Sequence, residues 1–181
     1  MDYYRIEVRL LEADPAPWRQ FLIKKDATFE ALHRAIQDAC GWTSSHLFSF
    51  SQSKTGPVIA TIPDEDFGAD ETDARKMKLT DFLTGTGSFY YQYDFGDGWW
   101  HEVEALDVVS VPQRFQRQLL AGERAFPPED CGGIPGYENC IAIALDEPTD
   151  DVEDPEELRE WLGDWHPERF DLAVVKGKFD R

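Results

Sequence analysis

The chain has 181 residues, 36 acidic against 18 basic side chains, a net charge of −18 and 41% apolar residues. That length and apolar content specify one globular domain over 1–181, with room for a helical extension. The charge argues against DNA or RNA binding, which rests on phosphate neutralisation by Lys and Arg, and no apolar run approaches the ~20 residues of a membrane span.

Taken in order, Tyr4, Ile6, Val8 and Leu10 alternate with Arg5, Glu7 and Arg9, the pattern of a half-buried strand. Asp14-Pro15-Ala16-Pro17 is a turn, and Trp18 to Ile23 is a second strand, antiparallel to the first. Thr28 is the expected N-cap of a helix whose apolar face carries Phe29, Leu32, His33, Ile36 and Cys40. Gly41 suits its C-terminus. On that face His33 and Cys40 read as core residues rather than ligands. His46 to Phe50 and Pro57 to Ile62 are predicted strands, giving a ββαββ part over 1–63. Residues 64–78 are expected to be an acidic loop, with six acids and no base between Asp64 and Asp73. Leu79 to Leu83 is one short helical turn, opening a central hairpin region over 79–111.

Phe89, Tyr90, Tyr91, Tyr93 and Phe95 fit a strand, since aromatics suit a pleated, half-buried surface. Trp99 to Val109 is the returning strand. Phe95-Gly96-Asp97-Gly98 lies between them, and Asp-Gly is a strong type I′ hairpin pair. A turn at Asp97-Gly98 sets Asp94 opposite His101, close enough to orient or charge the imidazole. A turn at Gly96-Asp97 sets Asp94 opposite Trp99 instead, and a bulge at either glycine also shifts the register. Asp-Gly is the better pair, so the first register is expected. The letters DFG carry no kinase meaning, because no glycine-rich nucleotide loop and no HRD-type loop accompany them.

Residues 112–136 read as a Pro/Gly loop, conformationally fixed from Phe126 to Gly136 and carrying Glu129, Asp130 and Cys131. Arg114, Arg117 and Arg124 nearby read as surface residues or internal pairing partners. Residues 137–181 are the helical C-terminal part: a helix from Tyr137 to Leu145, one that starts with Asp154 as N-cap, Pro155 at N1 and Glu157 at N3 and stops at Gly163, and a short one from Asp171. Asp146 to Glu157 holds eight acids and no base. Such a run is ordinarily solvated surface, and its functional reading is docking of a basic protein partner. The cysteines, Cys40, Cys131 and Cys140, show no paired spacing, which favours free thiols in a reducing cytoplasm. The strand-like start MDYYRIEVRL carries no secretory signal.

Two classes of function remain open. The leading one is a non-catalytic binding or accessory module in which Tyr90, Tyr93, Trp99 and Trp100 line a groove, with Asp97, Glu102, Glu129 and Asp130 as polar contacts. The other is chemical. His101, Asp94 and Cys131, with Glu102, His46 or Asp130, are suitable metal-ligand types. The same trio could act as an enzyme, with Cys131 as nucleophile, His101 as base and Asp94 as orienting carboxylate. A purely structural account also covers these residues: Asp94 pairs with His101, Asp97 caps the turn, and Glu129 and Asp130 bond backbone N–H groups of the Pro/Gly loop. No motif specifies a cofactor, a substrate or an oligomeric state.

The segments PAPWRQFLI, TFEALHRAIQDACGW, SHLFSF, YQYDFGDGWWHEV, LLAGERAFPPEDCGGIPGYE and EELREWLGDWHPERFDL together resemble the plasmid pRiA4b ORF-3-like family over nearly the whole chain. The resemblance implies an α+β fold, here a mixed or antiparallel sheet of ββαββ type with the aromatic hairpin and C-terminal helices. It also implies an association with bacterial plasmids and mobile elements, and no particular activity. A resolvase-like label attached to some members finds no support in this acidic chain. Many relatives carry a cysteine where this chain has Phe126, so a two-cysteine site with Cys131 is not available here.

Overall fold

The computed structural model describes residues 1–63, 71–149 and 151–181. The seven strands are β1 (Asp2–Leu10), β2 (Trp18–Lys24), β3 (Phe48–Ser51), β4 (Val58–Thr61), β5 (Gly87–Tyr93), β6 (Trp99–Ser110) and β7 (Arg117–Glu123). They form one antiparallel sheet in the order β4-β3-β5-β6-β1-β2-β7. The aromatic hairpin β5–β6 is therefore not an appendage. The long strand β6 pairs with β5 on one side and β1 on the other, joining the two halves of the sheet. The helices are α1 (Phe29–Cys40), α2 (Leu79–Phe82), α3 (Gly133–Ala144), α4 (Pro155–Leu162) and α5 (Leu172–Phe179). This is the α+β class with C-terminal helices that the sequence pattern implies. Among the described residues, no helix is long and apolar enough to cross a membrane.

Strand alternation sends one side of the sheet into a single core. Tyr4, Ile6, Val8, Leu10, Phe21, Phe50, Phe89 and Val103 meet Phe29, Leu32 and Ile36 of α1, Tyr137 of α3 and Phe179 of α5. The helix ends follow local chemistry. Thr28 accepts from Ala31 N, and Gly41 closes α1 in the left-handed region. Asp154 accepts from Glu157 N with Pro155 in the first turn of α4, and Asp171 caps α5.

The expected Pro/Gly loop over 112–136 contains β7, an edge strand on β2. Its sequence, RQLLAGE, lacks clean alternation, and pairing with β2 supplies what local pattern does not. Helix α3 also begins four residues earlier than expected, at Gly133, since Pro135 is tolerated within a first turn. Of the expected acidic loop, 64–70 lie outside the described residues. The remainder is anchored by the buried Ala74 and by backbone bonds between Thr61 and both Thr72 and Ala74.

Three buried arginines hold elements together. Arg19 Nε donates to the Ala39 carbonyl at the end of α1 (2.9 Å), and its Nη1 donates to the carbonyls of Trp18 (2.8 Å) and Glu123 (3.0 Å). Its guanidinium lies over the rings of Phe126 and Phe170. Burial pulls its pKa down to about 10, and the three carbonyls accept from its Nε and Nη1 donors. Arg117 pairs with Asp38 and Arg124 with Glu168, so both are internal pairing partners.

Candidate functional site

Alternation along β5 and β6 divides the aromatic cluster between the two sides of the sheet. Tyr91, Tyr93, Trp99 and His101 are buried on the core side. Tyr90, Gln92, Trp100 and Glu102 form the opposite row and are partly exposed. A groove combining Tyr93 and Trp99 with Tyr90 and Trp100 is thus ruled out.

The hairpin register also differs from the expected one. Tyr93 pairs with Trp99 and Tyr91 with His101, so the connection spans Asp94 to Gly98 and Asp94 does not face His101. The cause is local. Asp94 itself takes a left-handed φ of 52°. Its Oδ1 accepts from Gly96 N (3.0 Å) and Asp97 N (3.4 Å), and its carbonyl accepts from Gly98 N (2.6 Å). An aspartate that bonds the backbone ahead of it competes with a two-residue turn.

His101 is sealed inside the core. It sits edge-on to Trp42 and stacks with Phe126 at 5.9 Å. Nδ1 lies 3.4 Å from the Tyr91 carbonyl oxygen, and Nε2 has no hydrogen-bond partner among the described residues. Burial pulls its pKa down to about 4, against smaller opposing contributions from the Tyr91 and Trp99 backbone. Cys131 packs against the small buried cluster of Cys140 and Ile143 of α3 and Leu162 of α4. Hydrogen bonding to Cys140 and then burial push its thiol well up, away from the nucleophilic thiolate. The expected trio of Asp94, His101 and Cys131 is therefore not assembled: none of them is a hydrogen-bond partner of another.

What the fold does assemble is a seam of three loops: the hairpin loop 94–98, the segment 124–132 and the segment 41–47. Asp97 Oδ2 accepts from Gly132 N (3.1 Å), so Asp97 secures the start of α3 as well as lying in the turn. Gly133 approaches the Asp97 carbonyl so closely that a Cβ there would lie 2.7 Å from it. Glu129 Oε1 accepts from Tyr93 OH (2.5 Å), and its Oε2 accepts from Thr43 N (3.0 Å) and Thr43 Oγ1 (2.6 Å). Tyr93 OH in turn accepts from Ser45 N (3.0 Å). Burial first, and the bond to Glu129 next, keep the Tyr93 phenol protonated. Glu129 thus braces the 41–47 segment rather than its own loop.

The imidazole that Asp94 approaches is His46. His46 Nε2 lies 2.9 Å from Asp130 Oδ1 and 3.7 Å from Asp94 Oδ2. The strand expected from His46 begins only at Phe48, which leaves His46 in the loop and able to face the hairpin. Asp94, Asp97, Glu129 and Asp130 are brought into this seam, while Tyr93 supports it from the core. Trp99 belongs to the core, edge-on to Tyr137. Trp100 and Glu102 belong to the other side of the sheet.

Among the described residues, that side of the sheet carries no helical layer. Ser49, Ser51, Lys54, Gln92, Phe95 and Trp100 line a concavity of about 370 Å³, with the Lys54 ammonium 5.9 Å from the Trp100 ring centroid. Cross-strand neighbours extend the row from Tyr90 through Glu102 and Arg9 to Trp18.

A chain 36% identical over 143 residues, covering 77% of this one and 72% of its own length, is the uncharacterized protein y4hQ of Sinorhizobium fredii (strain NBRC 101917 / NGR234). The crystal structure of protein of unknown function MM3350 from Methanosarcina mazei Go1 superposes with a TM-score of 0.80 at 30% identity, covering 96% of this chain and 97% of the other. The model of the plasmid pRiA4b ORF-3-like proteins matches residues 2–174. On these grounds the chain belongs to the plasmid pRiA4b ORF-3-like family.

Proposed function

We propose that the chain is a non-catalytic binding module that holds a basic segment of a protein partner against the uncovered side of its sheet. The observation that carries this reading is the row of partly exposed Trp18, Tyr90 and Trp100 interleaved with acids. Arg9 is engaged by Glu7, whereas Glu102 and Glu104 form no ion pair among the described residues. Flat aromatic surface beside unneutralised carboxylates suits lysine and arginine side chains, which offer apolar stems and a cation to the rings. The catalytic alternative would need His101, Cys131 and Asp94 in contact, and each has other partners. Unbridged Cys40, Cys131 and Cys140 support a cytoplasmic setting.

An arginine-rich peptide titrated into ¹⁵N-labelled protein tests the reading. Saturable shifts are expected at Tyr90, Trp100 and Glu102. They should disappear when Trp100→Ala is combined with Glu102→Gln and Glu104→Gln, and persist when Glu156→Gln and Glu157→Gln neutralise α4 instead. Shifts confined to α4, or none at all, would overturn it.

A further inference from the structure

We propose that His46, Asp94 and Asp130 form a binding site for a divalent transition-metal ion of the zinc or manganese class. The inference does not rest on the sheet-face reading. One ligand atom from each residue lies within 4.8 Å of the other two. Atoms bound at about 2.1 Å to a common ion stand ~3.0 Å apart at right angles and ~3.4 Å apart at tetrahedral angles. The two separations from His46 Nε2, 2.9 Å to Asp130 and 3.7 Å to Asp94, bracket that range.

A second observation separates this arrangement from an ordinary ion pair. The Nε2 atom is buried and makes no hydrogen bond among the described residues, although a carboxylate oxygen lies 2.9 Å away. A metal ion held between the two groups accounts for donor atoms set this close without a hydrogen bond. Imidazole nitrogen with carboxylate oxygen is a donor set that zinc and manganese accept.

The surroundings hold the ligands in place. Asp94 uses Oδ1 for the backbone N–H groups of Gly96 and Asp97, which leaves Oδ2 toward His46. The His46 ring stands edge-on to Tyr93, itself fixed by Glu129 and Ser45. Such outer contacts orient ligands and sharpen affinity. Asp94 is 12% exposed and Asp130 69%, so the site opens on the Asp130 side. Three protein ligands leave coordination positions there for water or an anionic group.

The test uses the full chain, stripped with EDTA and desalted, then titrated calorimetrically with Zn²⁺ and separately with Mn²⁺. Uptake should saturate at one ion per chain and broaden the His46 and Tyr93 ring signals first when Mn²⁺ is added. Asp130→Asn removes a mostly exposed ligand; it should keep the parent's urea midpoint and weaken binding at least about tenfold. His46→Gln should do the same. No saturable uptake, or uptake unchanged in both variants, would overturn the site. Zn²⁺ uptake lost only in Cys131→Ser or Cys140→Ser would place the ion on the thiols and overturn it equally.

Discussion

Replacing Gly133 by alanine tests the seam that joins the hairpin to α3. Gly133 has a φ of +70°, and a Cβ there would lie 2.7 Å from the Asp97 carbonyl oxygen. Left-handed backbone costs a residue with a Cβ about 1–2 kcal/mol. Moving a backbone carbonyl back by roughly 0.8 Å, to ordinary contact, adds about 1–3 kcal/mol. The adjoining bond from Gly132 N to Asp97 Oδ2 would stretch with it. The expected loss is therefore about 2–5 kcal/mol, read from urea unfolding as a lower midpoint at unchanged slope. Gly177→Ala is the internal control. It lies within α5 with nothing within 4 Å of the added Cβ, and alanine should stabilise there by about 0.5–1 kcal/mol. A Gly133→Ala protein within ~0.5 kcal/mol of the parent would show that the seam opens freely, and the rigid docking of the two segments would be wrong.

The buried histidines set an acid limb of stability. Because burial holds the folded His101 pKa near about 4, the unfolded chain binds the proton first as pH falls. Its contribution is complete above pH ~6.5 and declines toward pH 4, by on the order of 3 kcal/mol. His101→Gln should flatten the fall in melting temperature across that window, and an unchanged slope would refute the buried neutral ring. His33, pulled down to about 3 by burial and then by Arg34, acts in the same direction. Tyr93→Phe removes the hydroxyl shared by Ser45 N and Glu129. A loss of about 1–3 kcal/mol is expected, with faster amide exchange at Thr43 and Ser45. Parent-like exchange would mean that the 41–47 segment is held by other contacts.

Features that depend on a few neighbouring residues are legible in the amino-acid order alone. Thr28, Gly41, Asp154, Pro155, Gly163 and Asp171 mark helix ends because capping is satisfied within one turn of chain. The alternation in β1 marks a strand because its two sides meet different solvents. Helical spacing assigns His33 to the core, and there it bonds the Tyr91 hydroxyl at 2.7 Å.

Tertiary structure decides everything that depends on which segments meet. Strand β7 exists because β2 offers it an edge, which RQLLAGE does not announce. Counting from an ideal turn sets Asp94 opposite His101, yet its own bonds to Gly96 and Asp97 lengthen the connection and turn its carboxylate to His46. The 48 positions from His46 to Asp94 and the 36 from Asp94 to Asp130 carry no spacing signal. Sequence by itself thus determines which residues cap, alternate and bury. Which polar groups converge is decided by sheet order and loop docking, because a contact between loops distant in sequence depends on the packing of every element that positions them.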